Sequence, residues 1–260
     1  MTDQTPEFIT VGEGDNARKI AVRHREGVAP GLVWLGGYRS DMIGTKAEAL
    51  DTWASERGHA SCRHDYSGHG ESGGEFIDGT ISRWLEESLA VFDAKCAEGS
   101  HILVGSSMGG WVALRMVQEL AKRNESHRLK ALLLLAPAPD FPHELMKPEL
   151  SDDQKSQLET RGFMEEPSEY SDEPNIFTKA LFDDGDDNRI MEGMIETGCP
   201  VHILQGMNDP DVPYTHAMKL ITHLPNENVS MTLIKDGDHR LSREQDIALL
   251  LRTVDNLINA

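Results

Sequence analysis

One serine carries the strongest chemical signal in this 260-residue chain, in the setting Gly105-Ser-Ser107-Met-Gly109. The apolar run Ile102-Leu-Val104 leads into Gly105, and a helical pattern starts directly after Ser107. Gly-x-Ser-x-Gly is the spacing of a nucleophile elbow, in which a strand turns sharply into a helix with the serine at the apex. The apex backbone is strained and packs where a Cβ has no room, hence the flanking glycines. The turn lifts the Ser107 hydroxyl out of the sheet, and the helix start favours negative charge developing beside it. A Gly/Ser loop without chemistry is the bland alternative, but strand, turn and helix are all in place.

A serine hydroxyl is a poor nucleophile at neutral pH and needs a base, which in turn needs an orienting carboxylate. In elbow enzymes the acid and then the histidine follow the serine in the chain, and such groups gather at the carboxyl ends of strands. The acid is therefore expected just after Val201-His-Ile-Leu204, where Asp209 and Asp211 stand, and the base just after Val229 to Ile234, where His239 stands. His239 lies on a polar Gly/Asp loop; a solvated surface histidine is the alternative there. Asp209 is preferred to Asp211 because Gly206-x-x-Asp209-x-x-Val212-Pro213 matches the usual placement of the acid, and Pro210 restrains Asp209 toward extended backbone. Asp238 is a weaker rival, since adjacent loop residues rarely orient one another's rings.

A tetrahedral intermediate needs donors for its oxyanion. The Met108 N–H, next to the nucleophile, is one candidate. The Tyr38 N–H, in Gly36-Gly37-Tyr38 after the third strand, is the other. The Tyr38 side chain either lines an acyl pocket or packs as an ordinary core tyrosine. Gly68-His-Gly-Glu-Ser-Gly73 matches a dinucleotide fingerprint in letters, but about eight non-helical residues separate it from the next helix, and the fingerprint must itself open the helix. Walker and HExxH motifs are missing, and the glycine in Asp183-Asp-Gly-Asp-Asp-Asn188 is misplaced for a calcium loop. The sequence implies no cofactor and no metal.

The elements that must hold these residues alternate. Phe8 to Val11 and Lys19 to Arg25 read as an antiparallel opening pair. Strands at Leu32 to Leu35, His59 to Asp65, Leu129 to Ala136, Val201 to Leu204 and Val229 to Ile234 join that of the elbow. Helices are expected over Thr45 to Arg57, Ile81 to Ala97, Met108 to Arg123, Tyr214 to His223 and about Ser242 to Ile258. This rhythm predicts one α/β domain over 1–260 with a mostly parallel sheet. The stretch from Pro139 to Gly198 breaks it and is too long for a connecting loop. It reads as an inserted cap over 139–198, with helices at Leu150 to Gly162 and Ile176 to Phe182 and a non-helical Pro167 to Pro174. The cap is acidic: Ala138 to Gly198 holds 17 Asp/Glu against 5 Lys/Arg.

The net charge of −19 disfavours nucleic acid and anionic membrane surfaces. The longest apolar run, Ala131 to Ala136, is far too short for a bilayer span. Three cysteines, Cys62, Cys96 and Cys199, show no CxxC spacing and read as reduced thiols without a catalytic role. The polar, acidic amino terminus lacks the features of an export signal.

With these residues in place the chain resembles an α/β-hydrolase, and more narrowly the subfamily of mitochondrial acyl-protein thioesterases and mycophenolic acid acyl-glucuronide esterases. The resemblance is carried by Gly37-Tyr-Arg-Ser-Asp-Met42 with Gly44-Thr-Lys-Ala47, His64-Asp-Tyr-Ser-Gly-His-Gly-Glu-Ser72, Gly105-Ser-Ser-Met-Gly-Gly-Trp111, Pro167-Ser-Glu-Tyr-Ser-Asp-Glu-Pro174, Gly206-Met-Asn-Asp209 and Asp238-His-Arg240. It implies the triad Ser107, Asp209 and His239 and hydrolysis of esters or thioesters. The usual His-Gly before the oxyanion donor is Gly36-Gly37 here, a change a backbone role tolerates. The transit segment of the resembling proteins is missing, so a cytoplasmic protein is expected. Arg39 and Arg240 flank the site and either could meet a substrate carboxylate; pairing with Asp41 or Glu244 is the alternative. The expected activity is a serine esterase or thioesterase working through an acyl-enzyme on a small-molecule acyl substrate. A carbon–carbon bond hydrolase or peptidase with the same triad, or a non-catalytic ligand sensor, are the rivals.

Overall fold

The structure, a computed structural model, describes residues 5–167 and 174–260. In chain order its strands and helices are β1 (Glu7–Val11), β2 (Arg18–Arg25), β3 (Val28–Leu35), α1 (Thr45–Arg57), β4 (His59–His64), α2 (Ile81–Lys95), β5 (His101–Ser106), α3 (Met108–Lys122) and β6 (Leu129–Leu135). There follow α4 (Asp152–Arg161), β7 (Phe163–Glu166), β8 (Asn175–Thr178), α5 (Lys179–Asp187), β9 (Val201–Gly206), α6 (Tyr214–Thr222), β10 (Val229–Ile234) and α7 (Glu244–Asn259).

Eight strands form one sheet in the order β1-β2-β4-β3-β5-β6-β9-β10. The first two pairings are antiparallel and those from β4 to β10 are parallel. Every residue of β5 is buried, and Ala131 to Leu135 of β6 are as well. Strands covered by helices on both faces carry continuous apolar runs for this reason. The core is accordingly split in two. On one face Trp84, Phe92, Trp111, Met116 and Leu120 pack against the sheet from α2 and α3. On the other, Leu50, Trp53, Leu250 and Val254 do so from α1 and α7. The 3.6-residue spacing of Ala47, Leu50, Trp53 and Ala54 thus appears as one buried face of α1.

Residues 139–198 fall between β6 and β9, and the described ones among them contribute no strand to the large sheet. The helix expected from Leu150 starts later, at α4, because Ser151 caps it: its hydroxyl accepts from Gln154 N–H while the Gln154 side chain accepts from Ser151 N–H. The helix expected over Ile176 to Phe182 is corrected more substantially. Asn175–Thr178 is a strand, paired antiparallel with Phe163–Glu166, and the helix begins only at Lys179. The Thr178 hydroxyl accepts from Leu181 N–H at 3.0 Å and sets that start. The acidic Asp183 to Asp187 forms the second half of α5. Of the stretch Pro167 to Pro174 expected to be non-helical, residues 168–173 lie outside the described residues.

Candidate active site

Ser107 sits between β5 and α3 with φ +54° and ψ −120°, far from the helical values that begin at Met108. A non-glycine residue holds such a conformation only when its surroundings over-determine it. They do so here by close backbone packing. A Cβ at Gly109 would overlap the Leu35 and Gly36 carbonyls, and one at Gly105 would overlap the Gly109 carbonyl. The Ser107 N–H donates to the Leu135 carbonyl at 2.9 Å, and its own carbonyl accepts from Ala138 N–H at 3.1 Å. The elbow is thereby tied to both ends of the turn after β6.

Three sequence-predicted side chains from three different loops meet there. His239 Nε2 lies 3.0 Å from Ser107 Oγ, and His239 Nδ1 lies 2.8 Å from Asp209 Oδ2. An ionised carboxylate only accepts, so Nδ1 carries the proton and the Nε2 lone pair faces the serine hydroxyl. The Asp209 side chain is fully buried, while that of His239, which lines the cavity, keeps 16% exposure. Asp209 is gripped from behind: Oδ1 accepts from Asp211 N–H at 3.0 Å and Val212 N–H at 2.8 Å. Gln205, wholly buried at the end of β9, donates to Oδ2 at 3.2 Å. Asp211 faces the cavity, and Asp238 spends Oδ1 on Leu241 N–H at 2.9 Å within its own loop. Among the described residues, Asp209, Asp211 and His239 are the one grouping of His, Cys, Asp and Glu donors close enough to share a cation. The imidazole and the backbone donors already occupy the Asp209 oxygens.

Gly36-Gly37-Tyr38 follows β3 and runs against the elbow. A Cβ on Gly37 would lie 3.3 Å from both the Ser106 carbonyl oxygen and Ser107 Cβ. Tyr38 and Met108 line the same cavity as Ser107 and His239, and Met108 N–H, in the first turn of α3, has no acceptor inside the helix. The Tyr38 ring both lines the cavity and packs. It stacks on Phe177 with centroids 5.0 Å apart and meets Phe76 edge-on at 4.9 Å, and its hydroxyl donates to the Ile176 carbonyl. Burial drives its pKa well above the ordinary phenol value.

The cavity measures about 760 Å³. Phe141, Leu145, Met146, Phe177 and Val212 give it an apolar side, while Lys46, Asp41, Arg240 and Ser242 give it a polar one. Arg39 and Arg240 both border it, as the sequence suggested. The Arg39 guanidinium donates to the Pro174 carbonyl and lies 5.7 Å above the Phe76 ring. Lys46 was not singled out from sequence, because a helix-start lysine normally faces solvent. Here its ammonium donates to the Arg240 carbonyl, and burial together with the Arg240 charge holds its pKa down to about 8. Among the described residues no helix is long and apolar enough to cross a membrane. The three cysteines are free thiols, with Cys62 and Cys96 buried.

Known proteins share this architecture over almost the whole chain. A solved structure from Agrobacterium vitis S4 superposes with a TM-score of 0.95 at 56% identity, covering 97% of this chain and 98% of that one. Alpha/beta hydrolase domain-containing protein 10 from mouse superposes at 0.83 with 30% identity, again covering 97% and 98%. Palmitoyl-protein thioesterase ABHD10, mitochondrial, of Homo sapiens is 33% identical over 241 residues, which is 92% of this chain and 76% of the relative. The model of the "Alpha/beta hydrolase family" matches residues 28–252, which reach from β3 into α7 and so include every residue of the site. The chain belongs to the alpha/beta hydrolase family.

Proposed function

We propose that the protein is a serine hydrolase that cleaves carboxylic esters or acyl thioesters through an acyl-enzyme, with Ser107 as nucleophile, His239 as base and acid, and Asp209 orienting His239. The observation that carries this reading is the unbroken relay Asp209–His239–Ser107, with contacts of 2.8 and 3.0 Å. Ser107 Oγ attacks the acyl carbon as its proton passes to His239 Nε2, and Asp209 stabilises the imidazolium that forms. The carbonyl oxygen gains the negative charge and meets the N–H groups of Tyr38 and Met108. Collapse breaks the acyl–oxygen or acyl–sulfur bond, and Nε2 returns the proton to the leaving alcohol or thiol. Water then attacks the acyl-enzyme by the same route and releases the acid.

Residues 139–198 act as a cap in this reading: Phe141, Leu145, Met146 and Phe177 receive the acyl chain. The leaving group then faces Lys46 and Arg240, and either Arg240 or Arg39 is placed to meet a carboxylate on it. The curated relatives are named palmitoyl-protein thioesterases, which favours thioesters among the substrates to try. A fluorophosphonate probe tests the core of the proposal. Labelling of the wild type and none of Ser107→Ala is expected; equal labelling of both would overturn it. A panel of esters and thioesters of graded acyl length then ranks the substrates.

A further inference from the structure

The loop after β4 carries the Gly68-His-Gly-Glu-Ser-Gly73 spacing that resembles a phosphate-binding fingerprint but opens no helix. In the fold it grips the segment that follows β3. His69 Nε2 accepts from Arg39 N–H at 3.1 Å, and Asp65 Oδ1 accepts from Met42 N–H at 2.6 Å. We propose that His69 and Asp65 are positioning residues that clamp the turn from Gly37 to Met42 and so hold the Tyr38 N–H against the reacting carbonyl, a role that rests on reading Ser107 as the nucleophile.

The geometry of His69 suits this role. Its Nδ1 lies 3.2 Å from the Ser67 carbonyl, which only accepts. Nδ1 therefore carries the ring proton, and the Nε2 lone pair is left for Arg39 N–H. The ring is buried among Tyr66, Phe76 and Trp84, with centroids at 5.6, 5.1 and 5.4 Å. That burial pushes its pKa down to about 4, so the accepting form persists at neutral pH. Its partner is a strained residue: Arg39 has φ +56°, a region where a side chain costs energy unless the backbone is held. Arg39 N–H and the Tyr38 carbonyl are the two ends of one planar peptide unit. Fixing the N–H direction therefore fixes ψ of Tyr38, the residue whose own N–H is the proposed oxyanion donor.

Asp65 is fixed as firmly. Its Oδ2 accepts from Glu71 N–H at 2.9 Å, and its carbonyl accepts from Ser72 Oγ at 2.7 Å. Ser72 Oγ in turn accepts from Ala21 N–H at 2.8 Å, anchoring the loop to β2. Gly70 approaches so closely that a Cβ there would overlap the Asp65 carboxylate. The glycine and serine spacing of this loop is thus explained by a clamp on the neighbouring backbone, with no phosphate involved.

Paired amide substitutions test the clamp. Gln at this position places an amide oxygen where Nε2 lies and can still accept from Arg39 N–H. Asn places its amide where Nδ1 lies, keeping the donor to Ser67 but not the reach to Arg39. His69→Asn is expected to lower kcat by about 10- to 100-fold with KM within about twofold, and to weaken a trifluoromethyl ketone in step with kcat. A thioether analogue that cannot form the oxyanion should bind both proteins alike, and His69→Gln should recover most of the loss. Wild-type kcat in His69→Asn, equal impairment of the two variants, or equal weakening of both inhibitors would overturn the clamp alone. Full turnover in Ser107→Ala would overturn the underlying reading of the site, and the clamp with it.

Discussion

Asp209 presents Oδ2 to His239 Nδ1 at 2.8 Å, while Asp211, two residues on, donates its backbone N–H to Oδ1 of that same carboxylate at 3.0 Å. One loop thus supplies both the carboxylate that meets His239 and a backbone donor that aims it. The two aspartates compared on sequence grounds stand differently: the Asp209 carboxylate meets His239, and Asp211 lines the cavity. Asp209→Asn is expected to lower kcat by about 10⁴-fold, since an amide favours the wrong imidazole tautomer. Asp211→Asn keeps the N–H and should stay within about threefold of wild type. Steady-state kinetics on one ester separates the two; an equal loss in both variants would reassign the acid.

Gly109→Ala should damage the fold before it damages chemistry. The added methyl meets the carbonyls of Leu35 and Gly36, backbone groups in the centre of a parallel sheet that cannot swing away. A loss of about 3 kcal/mol or more in urea denaturation is expected, together with loss of fluorophosphonate labelling. A stable and fully labelled variant would show that the elbow tolerates the shift.

Acid stability should depend on three neighbouring groups of opposite sign. Burial holds His64 and His69 down to about 4, from an ordinary 6.5. The unfolded chain takes up those protons first, so the stability they contribute is present above about pH 6.5 and lost as pH falls toward 4. Burial raises Asp65 to about 6, from an ordinary 3.8. There the fold takes up the proton first, so its contribution is present below about pH 3.8 and lost as pH rises through 6. Between pH 4 and 6 the three leave a net excess of about one proton in the unfolded chain, a slope of about 1.4 kcal/mol per pH unit. His64→Gln should flatten this slope and Asp65→Asn should steepen it, as followed by urea denaturation at stepped pH. Identical slopes in wild type and both variants would refute the assignment.

Acyl length should be set from the cap side of the cavity. Leu145 and Phe177 line it, with Phe177 stacked on Tyr38. Leu145→Trp is expected to raise KM for long-chain thioesters by about 10-fold while sparing acetyl and butyryl substrates, since bulk is added where only a longer chain reaches. Equal KM changes across the length series would place the chain elsewhere.

Preference for anionic leaving groups should be sensitive to pH through Lys46. With its pKa held to about 8, its ammonium is charged below that value and neutral above it. The ratio of kcat/KM for an anionic over a neutral ester should therefore fall as pH rises through about 8. Lys46→Met should show a low ratio without that step. Arg240→Ala should lower the ratio at every pH. A pH-independent ratio in the wild type would remove Lys46 from substrate recognition.

Much of this was legible in the chain. The elbow is a local event, written in five consecutive residues whose glycines answer to backbone packing, and it was found as read. The parallel strands announced themselves as apolar runs because both faces are covered, and α1, α2 and α3 as 3.6-residue stripes. Parallel strands place their carboxyl ends together, so the loops after β9 and β10 could be named for the acid and the base, and the Gly206-x-x-Asp209 spacing preferred Asp209 to Asp211. What stayed hidden depends on segments distant in the chain meeting in space. The β8 strand owes its existence to pairing with β7, which overrode the local helical pattern around Ile176. Lys46 changes character because α1 starts beside the His239 loop, and His69 because its loop folds onto the turn after β3, 30 residues earlier. Residue types and spacing carry short-range preference and the alternation of layers. Burial, tautomer and depressed charge arise from what each side chain faces, and that is settled only when the crossovers close.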